Sequence, residues 1–304
     1  MEISSQSQLI RRDLSLNKYG GIKLKKKLLS IITSGLLLVG VFAGCSANKE
    51  DASKATSAST TTEKSEVTLK VGAALTPHAE ILEHIKPKLK EQGINLEIVT
   101  LDDEGQLNPA LDEKQIDANY FQHVPYLESV SKEKGYDFEV AGKIHVEPIG
   151  LYSNKLKSIN DLQDGDKIGI PNNPSNEYRA LVLLEKNGLI KLKSGLENYS
   201  ATPNDIAENP KHLQFVEADV AQLPRSLGDL AGAVINTNII LDAKIDPNTA
   251  ILREDGDSPY ANVITVRKGD KDRKEIKALI SVLTTDDVKN FIKEKYGSAV
   301  VPAF

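Results

Sequence analysis

The chain has 304 residues, 40% of them hydrophobic and 27% charged, with a formal net charge of −5, one cysteine, one methionine and no tryptophan. A single cysteine excludes an intrachain disulfide, so stability has to come from a buried core. The negative balance disfavours nucleic acid and anionic lipid headgroups as partners.

The chain opens with an export signal rather than with a fold. Lys23, Lys25, Lys26 and Lys27 form a cationic patch, Leu28 to Phe42 an apolar run, and Ala43 and Gly44 lead into Cys45. That is the order of a signal peptide, expected over residues 1–44. The apolar run is short for a bilayer core, which needs about 20 residues. Cys45 after Phe-Ala-Gly resembles a bacterial lipobox, with Phe42 where a Leu is usual, and is the expected lipidation site. The 22 residues before the lysine cluster make a long n-region, so translation is expected to start downstream of Met1. Removing residues 1–44 takes away seven basic and two acidic groups and shifts the net charge to −10.

Residues 46–66 hold no apolar side chain larger than Ala. Such a segment cannot bury enough surface to offset its ordering entropy. Residues 45–66 are therefore read as a lipidated N-terminus and a tether, with a span of about 25 Å. The expected localisation is the extracytoplasmic face of the cell membrane, reached through the lipid alone.

From Val67 on, short apolar strands alternate with amphipathic helices. Val67, Leu69 and Val71 mark a strand; Ala79 to Glu91 reads as a helix ended by Gly93; Leu96, Ile98 and Thr100 begin a second strand. The cycle returns with a strand at Lys167–Ile170, a helix from about Glu177 to Asn187 stopped by Gly188, a strand near His212–Val216, a short helix near Val220–Leu227 and a strand at Ala231–Ile235. Helices are predicted for Asp272–Leu283 and again after Thr285, placed as an N-cap. Alternation of this kind predicts an α/β fold with parallel sheets covered on both faces. The irregular stretch near Glu147–Ser153 divides it into two lobes, set at 67–149 with 256–304 and at 150–255. Common phosphate, nucleotide, hydrolase and zinc signatures are missing from the sequence.

Several segments carry recognition chemistry. Tyr120, Phe121 and His123 fall at the C-terminal end of an expected strand, where open α/β sheets bind ligands, and aromatic faces there can wall an apolar or thioether side chain. The loop Pro171–Arg179 joins a strand to a helix; its amides favour an anion, and Arg179 can grip a carboxylate through two parallel hydrogen bonds. Asn236 and Asn262 can each accept from an ammonium and donate to a carboxylate. His78, His84, His123, His145 and His212 are scattered, so no metal is expected. Ser175 and His123 lack a recognisable third member, so no catalytic residue and no cofactor is expected. An adhesin or structural lipoprotein would instead tolerate loss of all these polar groups.

The stretches VGAALTPHAEIL (71–82), IDANYFQHVPYL (116–127), IPNNPSNEYRAL (170–181), AQLPRSL (221–227), AVINTN (233–238) and SPYANVITVR (258–267) resemble the NlpA-type lipoproteins, the methionine-binding components of methionine ABC importers. The resemblance runs from about Val67 to the C-terminus. It implies a two-lobed periplasmic-binding-protein (type II-like) fold with the ligand between lobes, delivery to a permease with its ATPase, and no enzymatic step. It implies a monomer that binds methionine, in L or D form or within a short peptide; another apolar or sulfur-containing amino acid is the alternative. Tyr120, Phe121 and His123 are implied around the ligand side chain, Asn176 and Arg179 at its carboxylate, and Asn236 and Asn262 at the polar groups of the α-carbon. Two departures stand beside the match: Tyr178 where a small residue is usual, and Ala74-Leu75-Thr76 for a run richer in proline and glycine.

Overall fold

Two mixed β-sheets, each with its own hydrophobic core, organise the chain in the computed structural model. It describes residues 66–304 except Asp102, Glu197, Asn198 and Asp257, all within the second of two units, Met1–Thr60 and Thr61–Phe304. The segments read as an export signal and a tether, with Cys45, lie outside the described residues up to residue 65.

The first sheet begins with β1 (Val67–Ala73), whose neighbour β2 (Ile94–Thr100) is reached through a broken helical turn (Leu75–Ala79) and α1 (Glu80–Glu91). Gly93, at φ 80°, makes the turn between α1 and β2 in a backbone region that costs glycine nothing. After α2 (Leu107–Asp112) come β3 (Ala118–His123), α3 (Val124–Lys134) and β4 (Phe138–Val146). β1 is parallel to both β2 and β3. Gly72 of β1 is fixed by close packing: a Cβ there would meet Ile116 at 2.6 Å and Leu107 at 2.8 Å.

From β4 the chain crosses to the second sheet. Its elements are β5 (Gly150–Tyr152), β6 (Lys167–Pro171), α4 (Pro174–Lys186), a small hairpin of β7 (Lys191–Leu192) with β8 (Ile206–Glu208), β9 (Gln214–Ala218), α5 (Leu223–Ser226), β10 (Gly232–Ile235), α6 (Thr237–Asp242) and β11 (Leu252–Arg253). The chain then returns to the first sheet through β12 (Ala261–Arg267), α7 (Lys274–Leu283), α8 (Asp286–Tyr296) and β13 (Val301–Pro302). The strand orders are β13-β4-β12-β3-β1-β2 and β11-β5-β10-β6-β9.

The sheets differ from the all-parallel expectation. β12 runs antiparallel to β3 and β4, and β5 antiparallel to β10 and β11. β5 also occupies part of the stretch read as irregular, because Gly150–Tyr152 is a fully buried strand between β11 and β10. Three buried residues without alternation carry little periodic signal.

Each sheet has its own core. Leu69, Val71, Ile81, Ile85, Leu89, Ile276, Leu279 and Leu283 pack around the first, and Ile168, Ile170, Leu181, Leu184 and Val234 around the second. Burying one such side chain is worth about 2 kcal/mol. α4 starts three residues before the predicted Glu177, with Asn173 as its cap accepting from the Asn176 N–H. Thr285 sits at the N-cap position of α8, but its hydroxyl donates to the Val282 carbonyl, 2.9 Å away, instead of capping.

Candidate functional site

The parallel strands of both sheets point their C-terminal ends at one cavity of about 800 Å³. From the first sheet come Leu75 after β1, Thr100 and Leu101 at the end of β2, and Phe121, Gln122 and His123 of β3. The second sheet contributes Asn172 and Asn173 after β6, Asp219 after β9 and Asn236 after β10. Loops leaving these ends are outside the sheet ladder, so their backbone and side chains can turn toward a ligand.

Six of the seven expected site residues line this cavity: Phe121, His123, Asn176, Arg179, Asn236 and Asn262. Tyr120 does not. It is fully buried behind the wall, where its hydroxyl pairs with His145 Nδ1 and its ring meets the His78 edge at 4.7 Å. The reason is the period of the strand, since Tyr120 and Phe121 face opposite sides of β3. Tyr126, from the first turn of α3, supplies an aromatic wall that the motif did not single out, with its ring edge-on to Phe121 at 6.0 Å.

Hydrogen bonds define what each polar group has left to offer. Asn176 Oδ1 lies 3.0 Å from His123 Nε2 and accepts from Asn236 Nδ2 at 3.0 Å. His123 Nδ1 takes the Tyr126 N–H at 3.1 Å, so its Nε2 carries the hydrogen. Asn236 Oδ1 is then a buried carbonyl oxygen without a partner. Asn262 is the converse case: its Oδ1 is engaged by His78 Nε2 at 3.0 Å, and its amide N–H groups are the end left to donate.

Arg179 is 2% exposed and held on three sides. Its Nε and Nη2 donate to the Glu254 carboxylate, Nη2 also donates to the Glu147 carbonyl at 2.7 Å, and the Tyr260 ring lies 4.2 Å from its guanidinium carbon. The sequence reading put Arg179 both at the end of the Pro171–Arg179 loop and inside a helix from about Glu177; it stands on the second turn of α4, fixed by a glutamate 75 residues away. Tyr178, one of the two departures, is outside the cavity lining and packs edge-on against Tyr199 at 5.6 Å. Leu75, from the other departure, does line it.

Glu147 stands where the chain leaves β4 for the second sheet. Its Oε1 lies 2.7 Å from His145 Nε2 and 3.2 Å from His78 Nε2, and its Oε2 accepts the Asn238 N–H at 2.8 Å. Two of the five scattered histidines thus converge: the ligand atoms of His78, His145 and Glu147 lie within 4.8 Å of one another. Protein groups hydrogen-bond both nitrogens of His145, both oxygens of Glu147 and His78 Nε2, while His78 Nδ1 is buried without a partner. Burial lowers His78 to a pKa of about 4 and His145 to about 3, while His123 falls to about 3 through burial and the nearby Arg179. Burial raises the Glu147 carboxyl, partly offset by His78. Sequence reading missed Glu147, Glu254 and Tyr260, since no motif spacing marks a residue that acts through the folded chain.

The family model of the NlpA lipoproteins matches residues 69–304. Among curated relatives, the methionine-binding lipoprotein MetQ of Bacillus subtilis is 40% identical over 272 residues, covering 88% of this chain and 95% of that protein. A nutrient-binding protein from Burkholderia cenocepacia, solved bound to methionine, is 46% identical, with a TM-score of 0.75 over 78% of this chain and 100% of that one. A periplasmic substrate-binding protein of an ABC transporter from Coxiella burnetii is 43% identical, with a TM-score of 0.74 over 77% and 100% of the two chains. Sequence and architecture agree, and the chain belongs to the NlpA lipoprotein family.

Proposed function

We propose that this protein is the substrate-binding component of an ABC importer and that its cleft binds methionine. The observation that carries the reading is a single cavity walled by Phe121 and Tyr126 and furnished with Arg179, Asn176, Asn236 and Asn262, in a chain 46% identical to a methionine-bound relative. Arg179 serves the ligand's carboxylate, joined by the amide donors of Asn262. The aromatic rings and His123 flank the side chain, where a polarizable thioether gains more than a branched hydrocarbon. Tyr120 acts from behind the wall by holding His145. The ligand lies between lobes formed by 67–149 with 256–304 and by 150–255. Binding and release are the whole of its chemistry, and the recipient is a permease with its ATPase.

A lipid on Cys45 would keep this body at the extracytoplasmic face of the membrane as a monomer. No helix among the described residues is long and apolar enough to cross a membrane, which fits attachment through the N-terminus.

The cavity also has room for more than one amino acid, since 800 Å³ is in the range of drug-sized ligands. This favours, as a second reading, methionine within a short peptide. Thermal melting of ligand-stripped protein with methionine, a methionine dipeptide and leucine tests both. A ligand at a hundredfold excess over its Kd adds about 2.7 kcal/mol of stability. Methionine is expected to stabilise more than leucine; equal stabilisation by the two sinks the methionine assignment, and stabilisation by the dipeptide alone selects the second reading.

A further inference from the structure

Glu147 gathers nitrogen and oxygen donors behind the cleft wall. Its Oε1 lies 2.7 Å from His145 Nε2 and 3.2 Å from His78 Nε2, and His78 Nε2 lies 3.0 Å from Asn262 Oδ1. The four side chains come from separate places in the chain: the broken turn after β1, the end of β4, the crossover that follows it, and β12. Both imidazoles are fully buried. Glu147 and Asn262 also line the large cavity, so an ion can reach the cluster from the cleft.

The spacing suits a tetrahedral ion. Zinc bonds of about 2.0–2.2 Å put neighbouring ligand atoms roughly 3.3–3.5 Å apart. The His78–Glu147 and His78–Asn262 separations are already within a few tenths of an ångström of that, and the His145–Glu147 pair has to open by roughly half an ångström. Two imidazoles beside a carboxylate and an amide oxygen favour a borderline ion such as Zn²⁺ over Mg²⁺ or Ca²⁺, which take oxygen ligands.

The surroundings hold these donors as metal ligands are held. The Tyr120 hydroxyl pairs with His145 Nδ1 and leaves Nε2 toward Glu147. Asn238, whose side-chain amide donates to Glu104 in the turn before α2, gives its backbone N–H to Glu147 Oε2 at 2.8 Å, so that Oε1 faces the imidazoles. His78 Nδ1 is buried without a partner, so no second bond fixes the proton on Nε2. Burial keeps His78 and His145 neutral down to about 4 and about 3, and protons therefore do not compete for their nitrogens at pH 7. Burial also raises the Glu147 carboxyl, and burial with Glu147 pushes Glu104 up to about 8; a cation brought to such carboxyls stabilises their ionised forms. The nearby Arg179 charge is paired with Glu254.

We propose that His78 Nε2, His145 Nε2 and Glu147 Oε1 bind a divalent ion of the zinc class, with Asn262 Oδ1 as the fourth ligand. The ion takes the place of the Nε2 hydrogens; each neutral imidazole then carries its proton on Nδ1, where the Tyr120 hydroxyl can accept from His145. Bound there, it ties the turn after β1 to β4 and β12 behind the cleft and keeps the amide N–H groups of Asn262 free to donate. The site does not depend on which amino acid the cleft takes.

The test uses the full chain, purified in detergent without an affinity tag, stripped with a chelator and kept free of amino acids. Zn²⁺ binding is followed by calorimetry and by metal analysis after dialysis, and Co²⁺ serves as the spectroscopic probe, its visible band reporting tetrahedral coordination. One Zn²⁺ per chain is expected, with the Co²⁺ band displaced by Zn²⁺ but not by Mg²⁺ or Ca²⁺. Losing a group that supports a ligand weakens metal affinity by about 10-fold to 100-fold, and losing the ligand itself costs more. His145→Gln should therefore weaken Zn²⁺ binding at least about 100-fold and remove the band, and Tyr120→Phe should weaken it about tenfold or more. His84 and His212 stand beside Asp287 and Asp164 at 2.6 and 2.7 Å and are the competing surface sites. The His84→Ala, His212→Ala double variant should bind as the parent chain does. No Zn²⁺ uptake by the stripped chain, uptake unchanged in His145→Gln, or uptake lost in the surface double variant overturns the proposal. Should His145→Gln fail to fold, Tyr120→Phe decides, and unchanged affinity in that variant overturns it as well.

Discussion

His123 Nε2 and Asn176 Oδ1 lie 3.0 Å apart, a hydrogen bond that ties the end of β3 in the first sheet to the first turn of α4 beside the second. Asn236 shares the same acceptor, so one amide oxygen gathers groups from both sheets. Asn176→Ala removes that oxygen and leaves two donors unpaired. We expect a ligand affinity about tenfold or more weaker, because an unsatisfied buried donor costs about 1–3 kcal/mol. The radius of gyration of the unliganded variant should rise in small-angle scattering. An unchanged radius with unchanged affinity would show that the bond does not hold the two sheets.

Arg179→Ala should cost stability as well as binding. The guanidinium is paired with Glu254, whose side chain is only 14% exposed, and removing one member of a buried pair destabilises by about 3–5 kcal/mol. Arg179→Ala with Glu254→Gln should recover part of that loss, because the stranded carboxylate is gone, while affinity stays low. Urea denaturation and calorimetry on the two variants separate the effects; full affinity in the double variant would rule out a carboxylate contact by Arg179.

Acid should loosen the fold through its buried histidines. His78 titrates near 4 and His145 near 3 when folded, against about 6.5 in the unfolded chain. The unfolded state therefore binds more protons below pH 6.5, and stability falls as pH drops toward the folded values. At pH 5 each histidine contributes a loss on the order of 2 kcal/mol. Glu104 works in the opposite sense, since its raised carboxyl takes up a proton on folding between about 8 and the ordinary glutamate range. The check is a difference: His145→Gln should flatten the fall in urea midpoint between pH 7 and pH 5, and an identical slope in the variant would show that His145 is not the group titrating.

Cys45→Ala should leave the protein unlipidated. A solitary cysteine after a basic, apolar and small-residue run has no other evident use. In detergent phase partitioning the variant should move to the aqueous phase or remain as unprocessed precursor. A processed variant that still enters the detergent phase would refute Cys45 as the anchor.

Local pattern alone made the elements near the site legible. Alternating Val67, Leu69 and Val71, the periodic Ile276, Leu279 and Leu283, and Gly93 and Gly188 at positive φ each carry their signal within a few residues. The sequence likewise determined some of the cavity-lining residues: Asn236 after β10 and Phe121 at the end of β3 reach the cavity because strand ends do. Tertiary structure decided the rest. Whether Tyr120 or Phe121 faces the cleft depends on which side of β3 is covered, and antiparallel β12 slots between β3 and β4 only after the chain has returned from the second sheet. The convergence of His78, His145 and Glu147, the clamp of Glu254 and Tyr260 on Arg179, and the reach of Glu104 to Asn238 join residues 67, 69, 75, 81 and 134 positions apart. Burial and charge act through distance in space, and separations of that length are set by how the two sheets fold together.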